Sequence, residues 1–180
     1  MASILYFAYG SNLLCERLLA RCPNSKYAGR ATLVSYRLTF GKLSKDGSGK
    51  CTIKPDPNSN VEGIVWNILE TEMYSLDQSE GLGSGYKHCA VVIKKIDGVI
   101  QEAQTYCATH CKSGMQPYDW YLALVIAGAK QHSLPDDYIA RLCNTEFQVD
   151  KDAGRPSRRE ALRVLVQANM LGVLDALQNK

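Results

Sequence analysis

An excess of charge of either sign is missing from this chain: 21 Lys and Arg stand against 18 Asp and Glu, for a formal net charge of +3. That balance excludes the broad basic footprint of a nucleic-acid binder and a polybasic membrane anchor. No apolar run approaches the length needed to span a bilayer. The apolar stretch at residues 4–9 has no basic flank before it and runs straight into a turn, which is not the layout of a secretory signal. Internal repeats and low-complexity segments are absent too, so a solenoid is excluded.

Cysteine is present without any pairing logic. Cys15, Cys22, Cys51, Cys89, Cys107, Cys111 and Cys143 are odd in number and scattered, and reduced thiols in a cytoplasmic protein are expected from that pattern. Cys107, His110 and Cys111 lie close together, but their order is not that of haem attachment, and three ligands without a second cluster are a weak zinc signal. No metal is expected from that cluster. His88, His110 and His132 have no acid partner recognisable in sequence and are assigned to packing or surface roles.

With 180 residues the chain has the size of one domain that buries a core without staples, and a single domain over 1–180 is expected. Residues 4–9 read as a buried strand breaking at Gly10-Ser11-Asn12. Leu13, Leu14, Arg17, Leu18 and Arg21 then fall at helical spacing, with Ser11 or Asn12 as the N-cap. Residues 27–40 form a strand that enters a connection rich in Gly, Ser and Lys. A short strand at 51–54, ended by Pro55 and Pro57, precedes a stronger one at 61–69 and a short helix at 71–78. Asp97-Gly98 predicts an antiparallel hairpin over 86–108, because both positions tolerate positive φ.

A largely buried helix is expected over 118–131, and Pro135 opens another that ends near Asn144. After a polar connection at 145–156, one last helix occupies 157–180. Ser157 and Glu160 have capping-box spacing there, and Leu162, Val164, Leu165, Ala168, Leu171, Leu174 and Leu177 form an apolar stripe. The stripe either packs on the rest of the domain or joins two copies as a homodimer. The order of elements argues for an α+β fold with a mostly antiparallel sheet or small barrel.

Two segments carry chemistry. In Tyr9-Gly10-Ser11-Asn12-Leu13 a buried strand delivers a small-residue turn to a helix start, and such a turn offers backbone N–H groups to a carboxylate; Gly10 removes the side chain that would block close approach. Taken alone it is also an ordinary capped turn. In Leu76-Asp77-Gln78-Ser79-Glu80-Gly81-Leu82-Gly83-Ser84-Gly85-Tyr86, Glu80 ends a predicted helix, where the negative pole of the macrodipole disfavours an ionised carboxylate and suits a group that must give and take a proton. Taken alone it is equally a solvated Glu before a glycine-rich loop.

Together, and in this order, the two segments resemble the gamma-glutamylcyclotransferases. The resemblance extends through Tyr6-Phe7-Ala8-Tyr9, Gly63-Ile64-Val65-Trp66, Leu76-Asp77, Tyr121, Gly128-Ala129-Lys130 and Leu134-Pro135, and fades beyond Asn144, so residues 157–180 lie outside it. It implies a small mixed, mostly antiparallel β-barrel with flanking helices and no cofactor. Phe7, Ala8, Tyr9, Gly10, Ser11 and Asn12 match the family's substrate-binding loop, Glu80 its acid/base, and Tyr86 and Tyr121 tyrosines lining its substrate site. Glutathione-specific relatives typically carry Tyr-Gly-Ser-Leu at the loop and gamma-glutamylamine relatives Tyr-Gly-Thr-Leu; Asn12 after Ser11 points to the branch acting on gamma-glutamyl amino acids and small gamma-glutamyl peptides.

The implied reaction closes a gamma-glutamyl unit on itself: its α-amino group attacks the side-chain carbonyl, giving 5-oxoproline and a free amine. The partner is then a small molecule in a pocket. Three other readings stand beside this one. They are a cyclotransferase with another leaving amine, a thiol enzyme using one of the cysteines, and a binding protein on the same fold. Apart from Tyr86 and Tyr121, the tyrosines as a group are assigned to the core.

Overall fold

Five strands close into one barrel in the computed structural model, which describes residues 2–179. The first and last residues of the span expected for the domain, and with them the end of the helix expected over 157–180, lie outside the described residues. In chain order the elements are β1 (Ser3–Ala8), a 3-10 turn (Ser11–Leu13), α1 (Cys15–Leu19), β2 (Lys26–Leu43), β3 (Gly49–Leu69), α2 (Glu70–Glu80), β4 (Tyr86–Lys95), β5 (Ile100–Ala108), α3 (Asp119–Gln131), α4 (Asp136–Cys143), α5 (Pro156–Gln167) and α6 (Leu171–Gln178). Around the barrel the order is β1-β3-β2-β4-β5. The pairings are antiparallel except that of β1 with β5. This is the α+β class with the mixed, mostly antiparallel barrel.

β1 lies between β3 and β5, which is why its sequence is a continuous apolar run and not an alternating one. Its fit against β3 depends on Gly63. A Cβ there would come within 2.4 Å of the Ala8 carbonyl oxygen and 2.6 Å of the Phe7 ring.

The strands expected at 51–54 and 61–69 are one long β3. The prolines do not end it: Pro55 still pairs with Tyr36 at the edge of a bulge, and Pro57 falls within it, where Ser35 alone on β2 stands opposite residues 56–59 before the pair Val34↔Asn60. A bulge has no ladder bond for a proline to lose. The hairpin over 86–108 forms as expected, with Gly98 at φ 88°.

The last helix is two helices. Asn169 takes a left-handed conformation at φ 54°, and the Met170 N–H reaches the Leu165 carbonyl at 2.8 Å while the Asn169 N–H reaches Val166. That is a Schellman ending, for which Asn is the usual substitute for Gly. Arg155, and not Ser157, stands at the N-cap of α5, with Pro156 as its first residue. Most of the apolar stripe is spent inside the chain: Val164, Leu165, Leu174 and Leu177 are buried in the core cluster, Leu162 and Ala168 pack against it partly buried, and Leu171 is exposed, with α5 and α6 packed on α3. The polar connection at 145–156 is anchored as well. Buried Asp150 accepts from the Trp120 indole N–H at 2.8 Å and from Arg155 at 2.6 Å, and buried Asp119 accepts from the Asp150 amide at 3.2 Å.

α3 is buried along its whole length from Asp119 to Ala129. Its Gly128 packs on the turn that follows β1, where a Cβ would meet the Leu14 backbone nitrogen at 2.4 Å and Leu13 at 2.5 Å. The turn is thereby clamped between the barrel and a buried helix.

Candidate active site

β1 ends in the core and the chain turns at Gly10 without any left-handed residue, Gly10 having φ −113°. Glycine is needed there for space: a Cβ would stand 3.1 Å from the Cys51 Cβ and 3.5 Å from the Tyr121 hydroxyl. Neither Ser11 nor Asn12 acts as the helix cap expected of it. The Leu13 N–H bonds to the Gly10 carbonyl at 2.9 Å and the Leu14 N–H to Ser11 at 3.3 Å, closing a 3-10 turn. The Ser11 and Asn12 amides come ahead of that ladder, as the first N–H groups of any helical turn do.

The two capping side chains are used otherwise. Ser11 Oγ accepts from Arg17 Nε at 3.1 Å, and Arg17, buried, also pairs with Glu160 of α5 at 3.2 Å. Burial holds the Arg17 guanidinium down at about 10, so a cation sits directly behind the turn. Asn12 Nδ2 donates to Tyr6 Oη and to Glu80 Oε1, both at 3.0 Å.

Glu80 is the last residue of α2. Gly81 follows at φ 65°, and the Leu82 N–H bonds back to Asp77 at 2.9 Å, which turns the chain away and leaves the carboxylate facing Asn12. Arg21 Nη1 bridges both partners, 2.9 Å from Glu80 Oε1 and 2.8 Å from Asn12 Oδ1. The Arg21 guanidinium is thus ion-paired with the carboxylate where α2 ends.

These groups surround a narrow cleft of about 20 Å³ that opens to solvent, lined by Tyr6, Tyr9, Gly10, Ser11, Asn12, Cys51, Glu80, Tyr86, Tyr106 and Tyr121. Tyr9, Gly10, Ser11, Asn12, Glu80, Tyr86 and Tyr121 are thus brought together. Phe7 and Ala8 are not: both are wholly buried, lying against Gly63 of β3, so they shape the loop from within the core. Tyr6 and Tyr106, assigned to the core from the sequence, line the cleft. The Tyr106 hydroxyl donates to Asp77 Oδ1 at 2.6 Å, and His88 Nε2 lies 2.6 Å from the same oxygen, so His88 does have an acid partner. Arg21 is the residue whose role went unread, although its helical spacing from Arg17 placed it beside the loop.

The phenols are neutral donors. Burial raises Tyr9, Tyr86 and Tyr121 well above the ordinary tyrosine value. Tyr86 donates to the Cys51 carbonyl at 2.7 Å; Tyr121 accepts from the Cys51 amide at 3.1 Å. Cys51 is a poor nucleophile, its thiol pushed up to about 12 by burial, and Cys107 is likewise pushed up to about 12. Cys15 has His132 at 3.3 Å, yet burial raises its thiol too and the pair lines no part of the cleft. The thiol reading therefore has no activated cysteine in the cleft. Among the described residues no group of three or more His, Cys, Asp or Glu is placed to hold a metal, and no helix is long and apolar enough to cross a membrane.

Known proteins resemble this chain in sequence and fold. The AIG2-like family matches residues 60–142. A gamma-glutamylcyclotransferase from Bos taurus is 35% identical over 150 residues, covering 80% of this chain and 79% of its own length. The one from Homo sapiens is 35% identical over 146 residues, covering 78% and 77%. A solved gamma-glutamyl cyclotransferase structure superposes with a TM-score of 0.82 at 30% identity, over 90% of this chain and 99% of that one.

Proposed function

Because the chain belongs to the gamma-glutamylcyclotransferase family, we propose that it converts gamma-glutamyl amino acids and small gamma-glutamyl peptides to 5-oxoproline and the free amine. One observation carries this reading: Asn12, in the turn that offers backbone donors, is hydrogen-bonded to the Glu80 carboxylate at 3.0 Å. Substrate anchor and acid/base therefore face one small space.

The α-carboxylate of the gamma-glutamyl unit is held at the Ser11 and Asn12 amides, with the Arg17 cation behind them favouring an anion. Holding that end folds the flexible chain so that its α-amine meets its side-chain carbonyl, a positioning gain that is large for ring closures. The bonds from Arg21 and Asn12 both go to Glu80 Oε1, so Oε2 is the oxygen available for proton exchange. It takes a proton from the attacking α-ammonium and returns one to the departing nitrogen. Tyr121, whose oxygen accepts from Cys51 N–H, has its own proton facing only a thiol and can donate to the developing oxyanion. A cytoplasmic setting belongs to the same proposal, supported by the fact that none of the seven cysteines is in a disulfide.

The test is release of 5-oxoproline from gamma-glutamyl-alanine, gamma-glutamyl-lysine and glutathione. Wild-type turnover is expected to fall about a thousandfold in Glu80→Gln, within the usual range for loss of a general acid/base, with circular dichroism unchanged. Undiminished turnover in that variant would assign the proton transfers to another residue. No 5-oxoproline from any substrate would leave a binding protein on this fold.

A further inference from the structure

Glu80 is a wall shared by two cavities. One is the cleft just described. The other, of about 310 Å³, lies where the end of β2 faces the α2–β4 loop, and its lining includes Lys42, Lys45, Ser79, Ser84 and Gly85 as well as Glu80. If Glu80 returns a proton to the departing nitrogen, that nitrogen lies within hydrogen-bond reach of its carboxylate. The first cleft is too small to hold the leaving group as well, so with the gamma-glutamyl unit held at the turn the rest of the leaving group extends past Glu80 into this second space.

Lys42 is the cation waiting there. It is half-buried, with Nζ 5.0 Å from the centroid of the Tyr86 ring, and it makes no ion pair among the described residues. Gly85 leaves it room, since a Cβ at that position would stand 3.3 Å from Nζ. Burial pushes its pKa below the ordinary lysine value, and Glu80 and Asp46 offset this without touching it. Lys45 is exposed and has no such constraint. A half-desolvated ammonium with no ion-pair partner among the described residues is complementary to a leaving group bearing its own carboxylate one carbon from the nitrogen, and it offsets the repulsion that Glu80 would exert on that carboxylate.

We propose that Lys42 binds the α-carboxylate of the leaving amino acid and so selects gamma-glutamyl amino acids over gamma-glutamyl amines. The proposal rests on the cyclotransferase reading and names a specificity residue for it. It is tested by comparing kcat/KM for gamma-glutamyl-alanine and gamma-glutamyl-alaninamide, which differ in that carboxylate alone, in wild type, Lys42→Met and Lys42→Arg. Methionine keeps an apolar stem on Tyr86 and deletes the charge. The acid-to-amide ratio is expected to fall about tenfold in Lys42→Met, equivalent to about 1.4 kcal/mol, mainly through KM, and to recover in Lys42→Arg. An unmoved ratio, or a parallel loss on both substrates, overturns the proposal while leaving the cyclotransferase reading intact. Failure of the wild type to release 5-oxoproline from any gamma-glutamyl substrate overturns both.

Discussion

The two walls of the cleft are built on opposite plans. On one side residues 11–14 are buried, backed by Arg17 and clamped by the Gly128 face of α3. On the other, Glu80 is held at the end of α2 by a loop whose Leu82, Gly83 and Ser84 are exposed and whose Gly81 and Gly83 have positive φ. The wall proposed to position the substrate is part of the core, where packing errors cannot relax. The wall proposed to move protons is a surface turn held by a few polar bonds. Stability and activity should therefore respond separately to changes on the two sides.

The sharpest way to break this contrast is to make the same substitution on both. Gly128→Ala drives a methyl group into the Leu13–Leu14 backbone, and a loss of about 3 kcal/mol in urea unfolding is expected, at the upper end for overpacking. Arg21→Met comes next. It removes one charged donor from both Glu80 and Asn12, and kcat/KM should fall about thirtyfold, the equivalent of about 2 kcal/mol, with little change in the urea midpoint. Gly81→Ala makes only ordinary van der Waals contact, its Cβ 3.7 Å from Ser84 Oγ, but has a φ of 65°, so it should cost only about 1 kcal/mol; because it re-aims Glu80, its activity should drop further than its stability. Equal stability losses in the two glycine variants would show that the contrast is wrong.

The smallest effect concerns how α3 is tied to the carboxyl-terminal segment. Burial pushes the Asp150 carboxyl up, but hydrogen bonds from Arg155, Trp120 and the Asp152 amide outweigh it and hold the group below the ordinary carboxylate value. A carboxyl depressed on folding stabilises above its unfolded value of about 3.9, and that contribution is lost as pH falls through the folded value. Asp150→Asn keeps an acceptor for the indole and loses the charge, so Tm should fall by about 2 °C at pH 7. Wild type and variant should converge as pH drops well below 3.9.

Most of the barrel was legible locally. Asp97-Gly98 marks its hairpin, the apolar run before Gly10 marks a strand buried on both sides, and the long apolar span before Gln131 marks a buried helix. The misreadings have a common cause. Pro55 and Pro57 looked like a strand end because a bulge depends on the partner strand, and Asn169 did not stand out because Asn ends a helix only where the following carbonyl contacts permit it. Within the site, Tyr6 and Tyr106 looked like core because a tyrosine buried around a cleft has the same sequence pattern as one buried in packing.

The sequence by itself determined the inventory of this protein: a small-residue turn after a buried strand, a Glu before a glycine-rich loop, and the order in which a family carries them. Those are properties of short segments, set by φ/ψ preference and residue chemistry. Only the tertiary structure decided that Asn12 and Arg21 share one Glu80 carboxylate oxygen, that Phe7 and Ala8 turn inward, and that Lys42 lines one cavity with Glu80. Such relations join residues far apart in the chain, and they exist only once barrel closure and the packing of α3 have fixed where each segment lies.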